Sequence, residues 1–178
     1  MKRSISIVLA LLCALAVVPA ALAAGKAKPY SLMQRWKVGG TGGWDLLAVD
    51  SAARRLYVSR SDRVVVVDAD SGKTVGEIAH TDGVHGIAIA AQLGRGFTSN
   101  GKSNSVTVFD LRTLKPIDEI KVDGQNPDVI LYDAAKQRVF VFNGRSANAN
   151  VIDAKTLASV GTIALSGKPE LAQGDGRG

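Results

Sequence analysis

One strand–turn–strand unit occurs three times in this chain, and this repetition constrains the fold more than any other feature. Each copy has an apolar strand, a short connection and a second apolar strand. The three copies span residues 55–68, 96–110 and 139–153. The last strand of each copy ends in an aspartate, at Asp68, Asp110 and Asp153. Successive aspartates are 42 and 43 residues apart. A fixed period of this length is typical of repeat architectures.

Each repeat divides into four short strands when one more strand is placed on either side of this unit. First strands are predicted at 46–49, 86–89 and 129–132, and fourth strands at 74–78, 116–120 and 159–163. No segment shows sustained helical periodicity. The sequence therefore predicts an all-β fold.

The polarity of the strands predicts how the sheets are arranged. Residues 64–67 are four consecutive valines, so this strand is apolar on both faces and must be covered on both sides. The fourth strand is half polar, and Pro116 in one copy cannot donate to a hydrogen-bond ladder, so this strand belongs at an edge. Four-stranded antiparallel sheets that stack face to face, with the fourth strand outermost, form a β-propeller. A linear β-solenoid is the alternative, but its repeats are usually shorter.

The repeats are too few to close a ring, so the predicted propeller is incomplete. Blades are expected at about 44–83, 84–126 and 127–168, and a fourth begins at 169–178. Residues 32–38 are predicted as a lone fourth strand that completes the last blade, because residues 33–38 alternate apolar and polar. Closure needs at least about four blades. We therefore interpret residues 32–178 as the N-terminal part of a longer propeller, with apolar surface and a strand edge that favour self-association.

The N-terminal segment has the pattern of a secretory signal peptide. A basic start at Lys2 and Arg3 precedes an apolar run from Ile5 to Val18, and Ala21-Leu22-Ala23 forms a small-residue cleavage pattern. The run is shorter than the ~20 residues of a membrane-spanning helix. We predict a signal peptide at 1–23, a flexible leader at 24–31 and a periplasmic or secreted protein without a membrane span after cleavage; an uncleaved anchor is the alternative.

The charges do not indicate a nucleic-acid arm. The 22 basic and 16 acidic residues give a net charge of +6, and signal cleavage would remove Lys2 and Arg3 and lower it to +4. The remaining charges are scattered and form no basic block. The single cysteine, Cys13, lies in the predicted signal peptide. A cleaved chain therefore has no cysteine for a disulfide, a metal site or a nucleophile.

A recurring aspartate follows each third strand and has a hydroxyl residue three positions later. The pairs are Asp68 with Ser71, Asp110 with Thr113, and Asp153 with Thr156. Side-chain oxygens of these residue types bond nearby backbone N–H groups and hold turns. Because the pattern occurs in every copy, we predict a structural turn and not a catalytic pair.

The second strands resemble a known repeat signature. Tyr57-Val58-Ser59-Arg60, Phe97-Thr98-Ser99-Asn100 and Phe140-Val141-Phe142-Asn143 resemble the Tyr-Val-Thr-Asn motif of the YVTN-repeat β-propellers, and within that family the chain is similar to the secreted YncE-like proteins. The resemblance implies a seven-bladed ring, hence about four further blades, and no shared catalytic motif. In the first copy Arg60 replaces the final Asn, and the following connection is two residues shorter.

One position before each first strand carries an acid or a histidine. Asp45, His85, Asp128 and Glu170 are equivalent in the aligned repeats. In a propeller these strand starts converge around the mouth of the central channel, where carboxylates and an imidazole could hold a cation or a polar ligand. Ordinary turn chemistry is the alternative. We predict a ligand-binding site at the channel mouth, and we assign no catalytic residue, metal ligand or cofactor.

A second candidate surface is basic. Arg60, Lys102 and Arg145 recur near the connection between second and third strands, and they predict a basic rim for an acidic partner or a polyanion. Solvated loops are the alternative. His80 is expected to be a turn residue, because His80 and His85 lack the helical spacing of a zinc pair. The glycine-rich residues 39–43 are expected to form a turn, since no helix follows them to make a phosphate site.

These observations favour a non-enzymatic binding scaffold over an enzyme. Its partner would be a protein, a small molecule or a polyanion that binds at the channel mouth or the loop rim. The first alternative is a fragment of a propeller enzyme, a lactonase-like hydrolase or a cofactor-bearing oxidoreductase. The second alternative is a polyanion-binding or nucleic-acid-binding protein, whose affinity would fall steeply with salt.

Overall fold

A computed structural model describes residues 30–177, so the predicted signal peptide and most of the predicted leader lie outside the described residues. The chain divides into two units, with the boundary between Arg35 and Trp36. The described part of the first unit, residues 30–35, is exposed and has no helix or strand. All strands of the described chain belong to the second unit. No helix in the described residues has the length and apolar character needed to cross a membrane.

The second unit contains three antiparallel sheets of four strands each, and in each sheet the strands lie side by side in chain order. The first sheet consists of β1 (Leu47–Asp50), β2 (Arg55–Arg60), β3 (Arg63–Asp68) and β4 (Thr74–Ile78). The second consists of β5 (Val84–Ala90), β6 (Arg95–Asn100), β7 (Ser105–Asp110) and β8 (Pro116–Lys121). The third consists of β9 (Pro127–Asp133), β10 (Arg138–Asn143), β11 (Asn148–Asp153) and β12 (Ser159–Ala164).

The twelve strands predicted for the three repeats are present, and their register repeats from sheet to sheet. In the central hairpins Tyr57 pairs with Val66, Phe97 with Val108, and Phe140 with Val151. The first of these hairpins has the connection that is two residues shorter. Equivalent residues therefore occupy equivalent places in the three sheets.

The sheets pack face to face through two apolar clusters. Between the first and second sheets lie Tyr57, Val64, Val66, Ile78, Val84, Ile87, Phe109 and Leu114. Between the second and third lie Ala88, Ala90, Phe97, Val106, Val108, Ile130, Val139, Val141, Ile152 and Ala154. Strand β7 sends Phe109 into one cluster and Val106 and Val108 into the other, because successive side chains of a strand point to opposite faces. The four valines of β3, for which cover on both faces was predicted, are all buried, and the equivalent strand β7 packs against a sheet on either side.

The fourth strand of each sheet is at the outer edge, as its polarity and Pro116 predicted. The edge strand β12 is exposed along its whole length. The inner edge is formed by the first strands, since β5 lies against both β1 and β9. This arrangement brings the starts of β1, β5 and β9 together.

The predicted aspartate turns are present after β3, β7 and β11. Asp68 accepts hydrogen bonds from the backbone N–H and the hydroxyl of Ser71, at 2.7 Å each. Asp110 accepts the same pair from Thr113, and Asp153 accepts the backbone N–H of Thr156. These donors lower the pKa of each carboxyl group below its ordinary value. We call these three residues the turn aspartates.

The last residue of each turn has a left-handed backbone, and two of the three are leucines. Leu114 and Leu157 have φ of 60° and 65°, and Gly72 has φ of 71° at the equivalent position. A β-carbon makes this conformation costly. Leu114 is buried against Gly76 of the preceding sheet, which favours leucine there in spite of the backbone cost. At Gly72 the indole of Trp36 occupies the space where a β-carbon would lie.

Two sequence predictions differ from the structure. Residues 32–38 form no strand, and most of them are exposed. A strand needs a paired neighbour for its N–H and C=O groups, and no described strand pairs with this segment. Residues 165–177 likewise contain no strand, so the start of the predicted fourth repeat is irregular.

Candidate functional site

Three of the four residues predicted at the channel mouth lie together. Asp45, His85 and Asp128 come from three successive repeats, and one potential ligand atom of each lies within 4.8 Å of those of the other two. His85 Nδ1 and Asp45 Oδ2 are 2.6 Å apart. We call these residues the mouth cluster. Their convergence on the inner edge follows from the radial stacking of the sheets.

A serine in the second strand holds the start of each of the first two sheets. Ser59 Oγ accepts the backbone N–H of Asp45 at 2.9 Å and donates to the carbonyl of Leu46 at 3.0 Å. The backbone N–H of Leu46 donates to the carbonyl of His85 at 3.2 Å. These bonds fix Asp45 next to His85, although Asp45 precedes the first residue of β1.

Ser99 performs the equivalent task between the second and third sheets. Its hydroxyl accepts the backbone N–H of Gly86 at 2.9 Å and donates to the carbonyl of Asp128. A β-carbon on Gly86 would lie 3.1 Å from both Ser99 Oγ and the Asp128 carbonyl. Glycine at this position therefore permits the close approach that brings Asp128 to His85. The third sheet has Phe142 at the serine position.

The negative charge of the mouth cluster is only partly offset by neighbouring basic groups. Partial burial raises the pKa of Asp128, and the negative charges of Asp45 and Glu170 raise it further. His85 and Lys168 act in the opposite direction without cancelling these effects. No side-chain hydrogen bond to the Asp128 carboxylate is present in the described residues. A cation at the cluster would stabilise the ionised carboxylates.

The structure does not bring Glu170 into the mouth cluster. Its carboxylate forms an ion pair with Lys168 at 2.5 Å, and both side chains are largely exposed. This pair raises the pKa of Lys168. Because residues 165–177 form no strand, the equivalence seen in the sequence does not place Glu170 at the start of a first strand.

The mouth cluster opens into a cleft that also contains two of the basic residues. A cleft of about 490 Å³ is lined by His85, Lys102, Asn126 and Arg145, among others. A smaller cavity of about 210 Å³ that also borders His85 is lined by Trp44, Asp45 and Lys102. His85 and Lys102 therefore line both spaces, Asp45 lines the smaller one and Arg145 the larger one.

The third residue of the predicted basic rim has a different role. Arg60 is the last residue of β2 and pairs with Arg63, whereas Lys102 and Arg145 lie within connections. Its guanidinium donates to the carbonyls of Gly40 and Thr41 at 3.0 and 3.3 Å. Arg60 thus anchors the glycine-rich loop, so of the three residues predicted for the basic rim only Lys102 and Arg145 line the cleft.

His80 lies apart from the mouth cluster. It is exposed, has φ of 57°, and follows β4 at the outer edge of the first sheet. Its carbonyl accepts a hydrogen bond from the Thr107 hydroxyl at 2.7 Å. The interpretation of His80 as a turn residue agrees with this position.

Sequence reasoning missed the serines that position the cluster and the joint cleft of acids and bases. A signal for the serines was present, because Ser59 and Ser99 occupy the same place in two copies of the repeat. The sequence contained no comparable indication that Lys102 lies close to His85. They are 17 residues apart and meet only because the β6–β7 connection and the start of β5 lie on the same side of the sheet.

Comparison with known proteins identifies the fold. No protein-family model matches the sequence, and no curated protein matches it. Hydrazine synthase from Kuenenia stuttgartiensis superposes with a TM-score of 0.67 and 24% identity, over 79% of this chain and 40% of that chain. The RRP9 WD40 repeats and U3-55K each give a TM-score of 0.64 and 11% identity, over 71% of this chain and 40% of theirs.

This chain therefore spans about 40% of the length of each of these structures. At identities below 25%, the likeness concerns the fold alone. WD40 repeats form propellers of four-stranded blades, in agreement with the three stacked sheets of this chain. The predicted fold class is confirmed: the described chain forms three consecutive four-stranded blades of a β-propeller.

Proposed function

We propose that this chain is a non-enzymatic binding scaffold of an exported protein, and that its mouth cluster binds the cationic group of a small polar ligand. The simplest such ligand is a divalent metal ion. The observation that carries the proposal is the convergence of Asp45, His85 and Asp128 within 4.8 Å from three separate blades. Two carboxylates and an imidazole are a donor set that suits several divalent metals.

The surroundings of the cluster support a ligand with more than one charge. Lys102 and Arg145 line a cleft together with His85, and Lys102 also lines a cavity with Asp45. A cation held by the carboxylates could therefore carry an anionic group that these two residues contact. This arrangement supports a small polar ligand better than a long polyanion, since Arg60 is used within the fold.

We infer that the blades are of the YVTN type, because three of the four residue types in the Tyr-Val-Thr-Asn signature have a structural role here. The aromatic residue packs against the next blade at Tyr57 and Phe97. The hydroxyl residue fixes an inner strand at Ser59 and Ser99. The final asparagine, Asn100, is buried and donates to Thr107 Oγ1 at 2.8 Å in the same hairpin.

Titration with Zn²⁺, Mn²⁺ and Ca²⁺ by calorimetry tests the mouth site. We expect at least one ion to bind, and we expect His85→Ala and Asp128→Asn to weaken it by roughly 10–100-fold. His80→Ala is the matched control, because it removes the other described histidine from an exposed turn. Binding that is unchanged in His85→Ala, or no binding below about 1 mM, would contradict the proposal.

Export is tested separately. Fractionation of the native host, followed by mass spectrometry of the purified chain, should find the protein outside the cytoplasm with its N-terminus at Ala24. A chain that retains residues 1–23 would contradict cleavage and favour the uncleaved anchor.

The enzyme alternative would use the same cluster. A lactonase-like hydrolase should open lactones when the protein is loaded with the ion that binds most tightly, and His85→Ala should abolish that turnover. Hydrolysis with this dependence would replace the scaffold proposal, whereas metal binding without turnover would support it.

A further inference from the structure

The cleft beside the mouth cluster lies between the second and third sheets, and each of these sheets supplies one of its walls. His85, Lys102 and Asn104 come from the second sheet and its connections, and Gln125, Asn126 and Arg145 come from the third. Its volume of about 490 Å³ lies within the range of small-molecule sites, about 300–1,000 Å³. The cleft therefore has room for a ligand larger than a single metal ion.

The two basic residues of the cleft are equivalent and are held by the same backbone bond. The N–H of Lys102 donates to the carbonyl of Asp82 at 3.3 Å, and the N–H of Arg145 donates to the carbonyl of Gln125 at 3.1 Å. Asp82 lies three residues before His85, and Gln125 lies three residues before the next mouth residue. The repeat thus fixes one basic residue beside one mouth residue in each of two neighbouring blades.

The positive charge of the cleft is not neutralised by the described chain. Lys102 and Arg145 are exposed, and neither side chain forms an ion pair or a hydrogen bond with a described residue. No carboxylate of the described residues lines the cleft. Its remaining side chains are mainly amides, and Asn104 Oδ1 links the two walls by accepting the backbone N–H of Asn126 at 2.9 Å.

One imidazole belongs to both the mouth cluster and the cleft. His85 Nδ1 lies 2.6 Å from Asp45 Oδ2, which leaves Nε2 for the cleft. A β-carbon on Gly101 would lie 2.6 Å from His85 Nε2 and 2.8 Å from Asn126 Oδ1. Glycine at this position therefore lets the imidazole and the amide approach the same backbone. A ligand in the cleft lies next to an ion at the mouth cluster.

The charges of the two regions set the charge of that ligand. A divalent ion at the mouth cluster balances the carboxylates of Asp45 and Asp128, and His85 adds no charge when it ligates as a neutral imidazole. Lys102 and Arg145 then keep two positive charges beside the ion. A ligand with two negative charges balances them.

We propose that the cleft binds a small organic dianion through Lys102 and Arg145, and that one oxygen of the dianion coordinates the ion at the mouth cluster. This inference rests on the proposed ion site and adds the class of its ligand, a metal-bound dicarboxylate or phosphate monoester. Both groups present charged oxygens, which a guanidinium contacts through two N–H groups and an ammonium contacts as a point charge.

Calorimetric titration of the full chain, loaded with the divalent ion that it binds most tightly, tests the proposal. The probes are malate, glycerol phosphate and acetate. We expect the better dianion to bind the loaded chain roughly 10-fold more tightly than the ion-free chain, a coupling of ordinary size between two ligands. Tighter binding of malate assigns the cleft to a dicarboxylate, and tighter binding of glycerol phosphate assigns it to a phosphate monoester. Acetate that binds as tightly as the better dianion would overturn the proposal.

Substitution of the basic residues tests their role directly. Lys102→Gln and Arg145→Gln should each weaken dianion binding to the loaded chain by roughly 10-fold, because each removes a charge-assisted contact. Neither change removes a ligand atom of the ion, so this loss should exceed any change in ion affinity. Lys115→Gln is the matched control, since Lys115 is exposed in the turn after β7, at the other end of the sheet. Dianion affinity that is unchanged in both cleft variants would contradict the proposal.

The outcomes separate this inference from the ion site on which it rests. If an ion binds but neither dianion prefers the loaded chain, the dianion proposal is overturned and the ion site stands. If no ion binds, both are overturned. Lys102→Glu covers the case of a misfolded variant: it should abolish the preference for the dianion and still bind the ion at least as tightly as the parent chain, whereas an unfolded chain would lose both.

Discussion

Two sets of carboxylates recur with the repeat, and their environments are opposite. The turn aspartates accept hydrogen bonds from residues two and three positions ahead, and their pKa values are lowered. Asp128 of the mouth cluster has its pKa raised, by burial first and by neighbouring negative charge second. Both sets recur in the sequence at one position per repeat, as an aspartate in every turn and as an aspartate or a histidine at the mouth.

The difference shows that recurrence alone does not separate a structural residue from a site residue. What separates them is the source of the hydrogen-bond donors. A turn aspartate is satisfied within five residues of chain, so it needs no partner from another blade. The mouth cluster is assembled from three blades, and His85 and Lys168 offset its negative charge only in part.

The largest expected effect concerns the stabilising role of the turn region. Leu114 ends the second turn and is buried between the first and second sheets. Leu114→Ala should lower the free energy of unfolding by roughly 2–4 kcal/mol through the cavity that it leaves. The equivalent Leu157→Ala should cost less, because Leu157 is only partly buried. Urea denaturation measures both free energies of unfolding. If a folded Leu114→Ala chain lost metal affinity, the turn and the mouth cluster would not be independent of each other.

The second effect concerns the mouth alone. A metal ion present at about 100 times its dissociation constant should stabilise the folded chain by about 2.7 kcal/mol. At the same ion concentration the gain should fall to about 0.4–1.4 kcal/mol in His85→Ala, since binding there is 10–100-fold weaker, and should persist in Asp110→Asn, which alters a turn aspartate. Thermal denaturation with and without the ion measures it, and an equal loss in both variants would contradict the distinction.

A smaller effect is expected from the charge of Asp128 itself. Because burial raises its pKa, the ionised carboxylate disfavours the folded state at neutral pH. Asp128→Asn should therefore stabilise the metal-free chain, by on the order of 0.5 kcal/mol given the partial exposure of the site. Denaturant midpoints at pH 7 test the sign. Destabilisation by Asp128→Asn would show that this carboxylate is well compensated in the folded chain.

The smallest effects should appear as opposite pH dependences. The turn aspartates have lowered pKa values, so their stabilisation is complete above the ordinary Asp pKa and is lost as pH falls through the lowered values. Asp128 has a raised pKa, so its protonation adds stability as pH falls through that raised value. The free energy of unfolding should be measured from pH 7 to pH 3. In Asp110→Asn it should fall less steeply than in the parent chain. In Asp128→Asn the stabilisation that comes from protonating Asp128 should be absent. Identical profiles for the two variants would contradict this assignment.

The strands, the sheet edges and the turns could be predicted because their signals are local. Short apolar runs that recur with the repeat and end at an aspartate turn place β3, β7 and β11, and Pro116 marks an outer strand. The strand predicted at residues 32–38 failed although its pattern was correct, since alternation shows only that a segment could pair. Arg60 was assigned to the rim although it aligns with Asn100 and not with Lys102, and the register of β2 and β3 places it against the glycine-rich loop.

The sequence by itself determined that three blades stack in order and that Asp45, His85 and Asp128 occupy one equivalent position, because a repeat imposes the same geometry on each copy. Only the tertiary structure decided that these three side chains meet, that Ser59 and Ser99 hold them, and that Glu170 stays outside. Contacts between the mouth residues of different blades depend on how close the start of each first strand lies to the central axis of the propeller. Hydrogen bonds between residues 13 to 40 positions apart set that distance, and no local pattern in the sequence encodes it.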